Sequence, residues 1–215
     1  MTAPFPLCFE AVCKAFEAGR PVLDGVDLQL APGTLTVLEG RSGSGKTTLL
    51  NLALGWDRPD AGKVSVAGRD PATDPPPWLE VAVAPQAPGL LPELTVAENV
   101  WLPARLAGRG ADPAAACALL GALGLDPFAG RPAERTSLGQ QQRAALARAL
   151  VLQPAVLLAD EPLAHQDRAH AGLVVAAIRR ACDAGGAALV ASHDPQAHRG
   201  ADTVLALVDG RLQAI

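Results

Sequence analysis

The sequence predicts an α/β fold built on a mainly parallel β-sheet with helices on both faces. Apolar strands alternate with helical segments in the last third of the chain, as parallel sheets require. Of the 215 residues, 49% are hydrophobic and 19% are charged, which is ordinary globular usage. A chain of this length predicts one domain over residues 1–215, with room for a small subdomain.

The first third of the chain is predicted to consist of strands. Apolar and polar residues alternate there with a period of two, and β-branched residues are frequent. The segment 69–77 holds four prolines, which predicts a loop. The predicted strands cover residues 26–30, 34–38, 63–67 and 79–83.

Helix-capping signals mark the middle of the chain. Thr95 with Glu98, and Ser137 with Gln140, form capping boxes, and Asp112 precedes a proline at a first helical position. In the last third, the order is strand, helix, strand, short helix and strand. The predicted helices cover residues 95–108, 112–123, 137–152 and 168–182, and the strands cover 155–159, 187–191 and 203–208.

Charge and composition exclude several classes of protein. The net charge of −4 argues against a general nucleic-acid binder, so no nucleic-acid partner is expected. No run approaches the ~18 apolar residues of a spanning helix, and the start lacks the features of a signal peptide. The four cysteines form no CxxC pair, which is typical of a reducing compartment. We therefore expect a cytoplasmic chain that reaches a membrane only through a partner protein.

A phosphate-binding motif follows the predicted strand 34–38. Residues 40–47 read Gly-Arg-Ser-Gly-Ser-Gly-Lys-Thr, which fits the pattern G-x-x-x-x-G-K-[ST]. Glycines let successive backbone N–H groups point at a polyphosphate, and the helix N-terminus adds positive charge. In such a loop, Lys46 reaches the β- and γ-phosphates and Thr47 coordinates Mg²⁺. This motif predicts a P-loop NTPase fold that binds a nucleotide with Mg²⁺, and by itself it leaves many NTPases open, including small nucleotide kinases.

Polar residues at the ends of other predicted strands suit nucleotide hydrolysis. Asp160 and Glu161 end the strand 155–159, where an aspartate can hold Mg²⁺ and a second acid can act as general base. His193 follows the strand 187–191 and is suited to contact the γ-phosphate or the attacking water. Gln86 follows the strand 79–83 and is suited to contact the metal and the nucleophile.

The segment 136–143, Thr-Ser-Leu-Gly-Gln-Gln-Gln-Arg, resembles the LSGGQQQR signature of the ABC ATPases. Ser137 precedes Asp160 by 23 residues, and all the motifs occur in the order of that family. The resemblance implies an N-terminal antiparallel β-subdomain and an inserted α-helical subdomain at about 87–153. The segment 90–103 resembles the same stretch of lipoprotein-releasing and macrolide-exporting ATPases, which implies export or extraction from the membrane.

The resemblance also assigns a role to individual residues. It implies catalytic roles for Glu161, His193, Gln86 and Lys46, and metal coordination by Thr47, Gln86 and Asp160. Phe16 falls where an aromatic ring stacks on adenine. The residues implied to bind the nucleotide are Phe16, Gly40, Arg41, Ser42, Gly43, Ser44, Gly45, Lys46, Thr47, Thr48, Ser137, Gly139, Gln140 and Asp167.

The partners implied by the resemblance are a second ABC ATPase and integral membrane permease subunits. The second ATPase is either another copy or a related chain, and the signature of each subunit contacts the nucleotide of the other. The complex places the chain on the inner face of the cell membrane. The sequence does not identify the transported substrate.

Two segments depart from the family pattern. Leu138 replaces the first glycine of the signature, and Thr136 replaces its leucine. The segment 163–167 keeps only the aspartate of the usual Thr-Ser-Ala-Leu-Asp. We expect nucleotide binding to survive and hydrolysis to be retained, although slow or asymmetric hydrolysis fits the same departures. Two alternatives stay open: a non-transport ABC ATPase, and an ATP-binding regulator with weak hydrolysis.

Overall fold

Two β-sheets and the helices that pack on them form the protein. The computed structural model describes residues 5–17, 19–108 and 113–215. The strands in these residues are β1 (Leu7–Glu17), β2 (Arg20–Leu30), β3 (Leu35–Glu39), β4 (Ala61–Val66), β5 (Val81–Ala84), β6 (Val156–Asp160), β7 (Ala187–Ala191), β8 (Thr203–Val208) and β9 (Arg211–Ala214). The α-helices are α1 (Lys46–Ala53), α2 (Val96–Leu106), α3 (Pro113–Ala122), α4 (Leu138–Leu150) and α5 (Arg168–Asp183).

The smaller sheet is antiparallel and has the strand order β2-β1-β4. The register between β1 and β2 shifts at several points, and Ala11 lies in the left-handed region with φ of 47°. These irregularities interrupt the inside-outside alternation along β1. The strand therefore lacks the period-two pattern by which a strand is recognised in a sequence, and the sequence identified no strand bounds there.

The larger sheet has six strands in the order β5-β6-β7-β3-β8-β9. Every neighbouring pair is parallel except β8 with β9, which is antiparallel. The expectation of a mainly parallel core beside an antiparallel N-terminal sheet is confirmed. The β9 strand was not predicted, because it is short and mostly exposed at the sheet edge.

Successive residues of the central strands face two separate hydrophobic clusters. Val37 and Leu157 pack in the cluster that contains α2, α4 and α5. Leu38 and Leu158 pack in the cluster that contains α1 and the antiparallel sheet. Both faces of the parallel sheet are thus buried, which explains why β6 and β7 contain no exposed residue.

The two predicted capping boxes are present. Thr95 is the N-cap of α2 and Ser137 is the N-cap of α4, each in a capping box with the residue three positions later. Helix α3 begins at Pro113, and its predicted N-cap Asp112 lies outside the described residues. The short helix predicted after Asp194 is a 3₁₀ helix, Pro195–Gly200. No helix within 5–17, 19–108 and 113–215 combines the length and apolarity that crossing a bilayer requires.

The buried position of β6 predicts a large loss of stability on truncation. Leu158 is completely buried, so Leu158→Ala should lower the free energy of unfolding by about 2–5 kcal/mol. Leu106 is 71% exposed, so Leu106→Ala should change it by about 0.5 kcal/mol or less. Urea unfolding of both variants measures the difference. Equal losses would contradict the assignment of Leu158 to the core.

Candidate nucleotide-binding site

The order of the parallel strands brings the predicted motifs together. Strands β5, β6, β7 and β3 are neighbours, and their carboxyl ends lie at one edge of the sheet. Gln86 follows β5, Asp160 ends β6, His193 follows β7, and the loop 40–45 joins β3 to α1. Segments far apart in the chain therefore meet at one edge, which is where open α/β sheets bind ligands.

The phosphate loop is held in shape by close backbone packing and by Lys46. Gly45 has φ of 106°, and a Cβ atom there would lie 2.8 Å from Cγ1 of Val22. Lys46 is buried, and its ammonium donates hydrogen bonds to the carbonyl oxygens of Gly40 (2.7 Å) and Arg41 (3.4 Å). The buried ammonium forms no ion pair within the described residues, so its charge is available to an anion.

A polyphosphate fits this loop. The hydroxyl oxygen of Ser44 is buried and has no hydrogen-bond partner among the residues that the structure describes. Buried polar atoms are normally paired, so an unpaired hydroxyl beside a buried ammonium indicates that a ligand supplies the partner. The N-terminus of α1 begins at Lys46 and adds backbone N–H groups that favour negative charge.

A hydroxyl and a buried carboxylate converge next to this loop. The Thr47 hydroxyl donates a hydrogen bond of 2.8 Å to Oδ2 of Asp160. Burial raises the pKa of the Asp160 carboxyl; the charge of Glu161 acts in the same direction, and the Thr47 hydrogen bond acts against it. Hard oxygen ligands beside a phosphate site suit Mg²⁺. Within the described residues, no group of three or more His, Cys, Asp or Glu forms a metal site, so phosphate oxygens and water would complete the coordination.

Glu161 and His193 form a contact pair at the ends of β6 and β7. Nδ1 of His193 lies 2.9 Å from Oε2 of Glu161. The Glu161 side chain is 13% exposed, whereas that of His193 is 75% exposed. Glu161 adopts φ of 49°, and its N–H donates to the carbonyl of Ala191. The backbone therefore presents a mostly buried carboxylate to the cleft, with the imidazole on its solvent side.

Phe16 lies at the rim of the same cleft, on the antiparallel sheet. Its ring is 65% exposed, and the Lys14 ammonium lies 5.4 Å from the ring centroid. Lys14 is itself buried and donates to Oδ1 of Asp57 at 2.8 Å, a hydrogen bond that raises the pKa of the Lys14 ammonium. The Lys14 ammonium thus covers one face of the Phe16 ring, and the exposed part of the ring is suited to stacking on a planar base.

The phosphate loop, the ends of β5, β6 and β7, and Phe16 border one cleft of about 760 Å³. Two further residues, Val22 and Ala164, line it although the sequence did not indicate them. Val22 supports Gly45 from β2, and a single sequence carries no signal for such a contact between distant segments. The predicted residues that line the cleft are Phe16, Gly40, Arg41, Ser42, Gly43, Ser44, Gly45, Lys46, Thr47, Thr48, Gln86, Asp160, Glu161 and His193.

Four predicted site residues do not line this cleft. Ser137 accepts a hydrogen bond from the Gln140 N–H at 3.3 Å, and the Gln140 side chain accepts one from the Ser137 N–H. Gly139 lies in the first turn of α4. Asp167 caps α5 by accepting from the His170 N–H at 2.9 Å, which lowers the pKa of the Asp167 carboxyl. These four residues form a second set, at the N-termini of α4 and α5.

The family comparison agrees with this geometry. The profile of the family described as "ABC transporter" matches residues 23–164, which is more than half of the chain. The chain belongs to the ABC transporter family. It is an ABC-type ATPase, a member of a family of ATP-binding cassettes.

Several curated proteins resemble this ABC ATPase over most of its length. The lipoprotein-releasing system ATP-binding protein LolD of Anaeromyxobacter dehalogenans is 43% identical over 94% of the chain and 90% of LolD. The Fe(3+) ions import ATP-binding protein FbpC 2 of Rhodococcus jostii is 38% identical, over 98% of the chain and 62% of that protein. The macrolide export ATP-binding/permease protein MacB of Salmonella typhi is 36% identical, over 99% of the chain and 34% of MacB.

A solved structure resembles the whole ABC ATPase fold. It is the dimeric post-hydrolysis state of the ATP-binding cassette MJ0796, bound to ADP and Pi. The TM-score is 0.85, the sequences are 28% identical, and the match covers 96% of each chain. The fold predicted from the sequence is therefore confirmed by an experimentally determined relative.

The buried Asp160 carboxylate predicts a stabilising substitution. Without Mg²⁺ and nucleotide, Asp160→Asn should raise the melting temperature by a few degrees, because it removes a charge that burial disfavours. The asparagine oxygen can still accept the Thr47 hydrogen bond. Thermal melting tests this, with Asp209→Asn at an exposed position as the matched control. A lower melting temperature for Asp160→Asn would show that the charge stabilises the ligand-free protein.

Proposed function

We propose that this ABC ATPase acts as a dimer that encloses two MgATP molecules and drives the membrane subunits of a transporter. One observation supports this proposal most directly. The cleft residues lie at the end of the parallel sheet, whereas Ser137, Gly139, Gln140 and Asp167 form a second set outside the cleft. A site that needs both sets is completed by the second set of another subunit.

The first turn of α4 is suited to contact a γ-phosphate across such an interface. Its capping box leaves further backbone N–H groups of the first turn without intrahelical partners, and these favour an anion. Leu138 at the first helical position is 45% exposed and leaves the capping box intact. The departure from the usual glycine therefore does not disrupt the helix start, which supports retained hydrolysis.

Glu161 is proposed as the general base for hydrolysis. Its carboxylate takes a proton from water as the water oxygen bonds to the γ-phosphorus, and the bond from that phosphorus to the β–γ bridging oxygen breaks. The electron pair of that bond goes to ADP, and the γ-phosphoryl group leaves as phosphate. His193, 2.9 Å from Glu161, is proposed to orient this carboxylate and the water. Lys46 and the loop N–H groups stabilise negative charge on the transferred group.

The remaining cleft residues are proposed to hold the nucleotide and the metal ion. Phe16 stacks on adenine, with Lys14 fixed behind the ring. Thr47, Asp160 and Gln86 would hold Mg²⁺. When bound, Mg²⁺ neutralises charge on the β- and γ-phosphates.

The partners and direction of transport are inferred from the relatives. LolD is named for lipoprotein release and MacB for macrolide export, which supports extraction or export, whereas FbpC 2 is named for iron import. LolD is covered over 90% of its length, against 62% for FbpC 2. We therefore propose permease subunits of the lipoprotein-releasing or macrolide-exporting type, with the chain bound on the inner face of the membrane.

The proposed role of Glu161 as general base predicts that its replacement stops hydrolysis and leaves ATP binding intact. Glu161→Gln should lower the ATPase rate by about 100-fold or more, because an amide cannot accept the proton from water. ATP affinity should change little, and the variant should form an ATP-dependent dimer. Phosphate release, ATP titration and light scattering after gel filtration measure these three properties.

Glu80→Gln, at an exposed carboxylate in the turn before β5, is the matched control and should behave like the wild type. Equal, negligible rates for wild type and Glu161→Gln would favour the ATP-binding regulator instead. Salt-sensitive binding of DNA or RNA by the wild type would favour a non-transport ATPase.

The direction is tested by reconstitution. We expect the chain, co-expressed with permease subunits of the lipoprotein-releasing type and placed in proteoliposomes, to release a lipid-anchored or amphiphilic cargo from the bilayer when ATP is added. Proteoliposomes carrying Asp160→Asn should release none. ATP-dependent uptake of a soluble ion or nutrient by the same proteoliposomes would contradict the proposed direction.

A further inference from the structure

The carboxamide of Gln166 joins two segments that belong to different halves of the proposed site. It lies in the segment 163–167, where the sequence departs from the family pattern. Its Nε2 atom donates a hydrogen bond of 3.0 Å to the carbonyl of Gly139 in α4. Its Oε1 atom accepts one of 2.5 Å from Nη1 of Arg143, one turn further along the same helix.

The orientation of this amide is determined by its two main partners. A guanidinium can only donate, and a backbone carbonyl can only accept. Rotating the amide by 180° would place Nε2 against Arg143 and Oε1 against Gly139, and both contacts would become repulsive. The Oε1 atom of Gln166 therefore accepts from Arg143, and its Nε2 atom donates to the carbonyl of Gly139.

The contact to Arg143 satisfies a buried charge. Arg143 is 4% exposed, and it forms no ion pair with any residue that the structure describes. Its Nε atom donates to the carbonyl of Leu123 at 2.9 Å, and Nη1 donates to Gln166. An apolar residue at position 166 would leave a buried N–H group without this acceptor.

The backbone makes a second contact between the same two segments. A Cβ atom at Gly139 would lie 2.6 Å from the carbonyl oxygen of His165, so only glycine allows this approach. Gly139 thus packs directly against the residue before Gln166, and the amide hydrogen bond adds a directional link at that point.

We propose that Gln166 is a positioning residue for ATP hydrolysis. Its carboxamide holds the first turn of α4, with Ser137 and Gly139, in a fixed position relative to the segment that runs from Glu161 to Asp167. The inference rests on the proposed function, because the first turn of α4 contacts a nucleotide only in a dimer. In that dimer, Gln166 links the proposed general base Glu161, in the cleft of its own subunit, to the first turn of α4. The same subunit supplies that turn to the nucleotide of the other subunit.

Two substitutions separate positioning from simple structural support. Gln166→Glu keeps an acceptor for Arg143, now as an ion pair, but loses the donor to the Gly139 carbonyl. Gln166→Leu loses both contacts. Gln213→Glu makes the same change of charge at an exposed position on β9 and is the matched control.

We expect Gln166→Glu to lower kcat for ATP hydrolysis by about tenfold. The carboxylate cannot donate to the Gly139 carbonyl, nor to the longer contacts of Nε2 with Oε1 of Gln142 and the carbonyl of Ala164 (3.4 Å each), and one of its oxygens faces these acceptors instead. The KM for MgATP should stay close to that of the wild type and Gln213→Glu. The melting temperature should fall by at most a few degrees, because the new ion pair to Arg143 offsets part of the lost hydrogen bond. Gln166→Leu should lower both kcat and the melting temperature, because Arg143 also loses its partner.

Two results would overturn the proposal. The first is a kcat for Gln166→Glu equal to that of Gln213→Glu. The second is a fall in the melting temperature of Gln166→Glu as large as that of Gln166→Leu, since the residue would then be structural. A wild-type chain that hydrolyses no ATP contradicts the proposed function itself, whereas a hydrolysing wild type with an unaffected Gln166→Glu contradicts only this inference.

Discussion

Parallel pairing of β5, β6, β7 and β3 is the constraint on which the rest of the structure depends. Parallel strands place their carboxyl ends at one edge of the sheet. Residues that follow different strands therefore meet there even though they are far apart in the sequence. Because both faces of this sheet are buried, helices must cover each side, and the connections supply them. The strand order therefore brings together the phosphate loop, the acidic pair Asp160 and Glu161, and His193.

The residues suited to bind the nucleotide and the residues proposed to complete its site lie in different parts of the chain. The cleft at the sheet edge holds the groups suited to bind phosphate, a metal ion and adenine, whereas the N-termini of α4 and α5 carry the second set of proposed ligands. Gln166 and Gly139 connect the two sets within one chain. A change at one set thus has a direct physical route to the other, through a side-chain amide and a backbone contact rather than through the hydrophobic core.

Local patterns predicted most of the fold and much of the site. The strand β7 and the caps Thr95 and Ser137 follow from alternation, burial and capping chemistry that are visible within a few residues. The β1 strand escaped prediction because its register shifts break the alternation. The support of Gly45 by Val22 and the bond from Gln166 to Gly139 join residues far apart in sequence, for which one sequence carries no signal.

The complete burial of β6 and β7 has a consequence for hydrogen exchange. Amide hydrogens in strands buried on both faces exchange with solvent only when the whole domain opens, whereas those of edge strands such as β9 exchange through local fraying. Asp160 ends one of these slowly exchanging strands, and His193 follows the other closely. These two proposed site residues are thus anchored to the most persistent part of the backbone, and their spacing should survive transient opening elsewhere in the molecule.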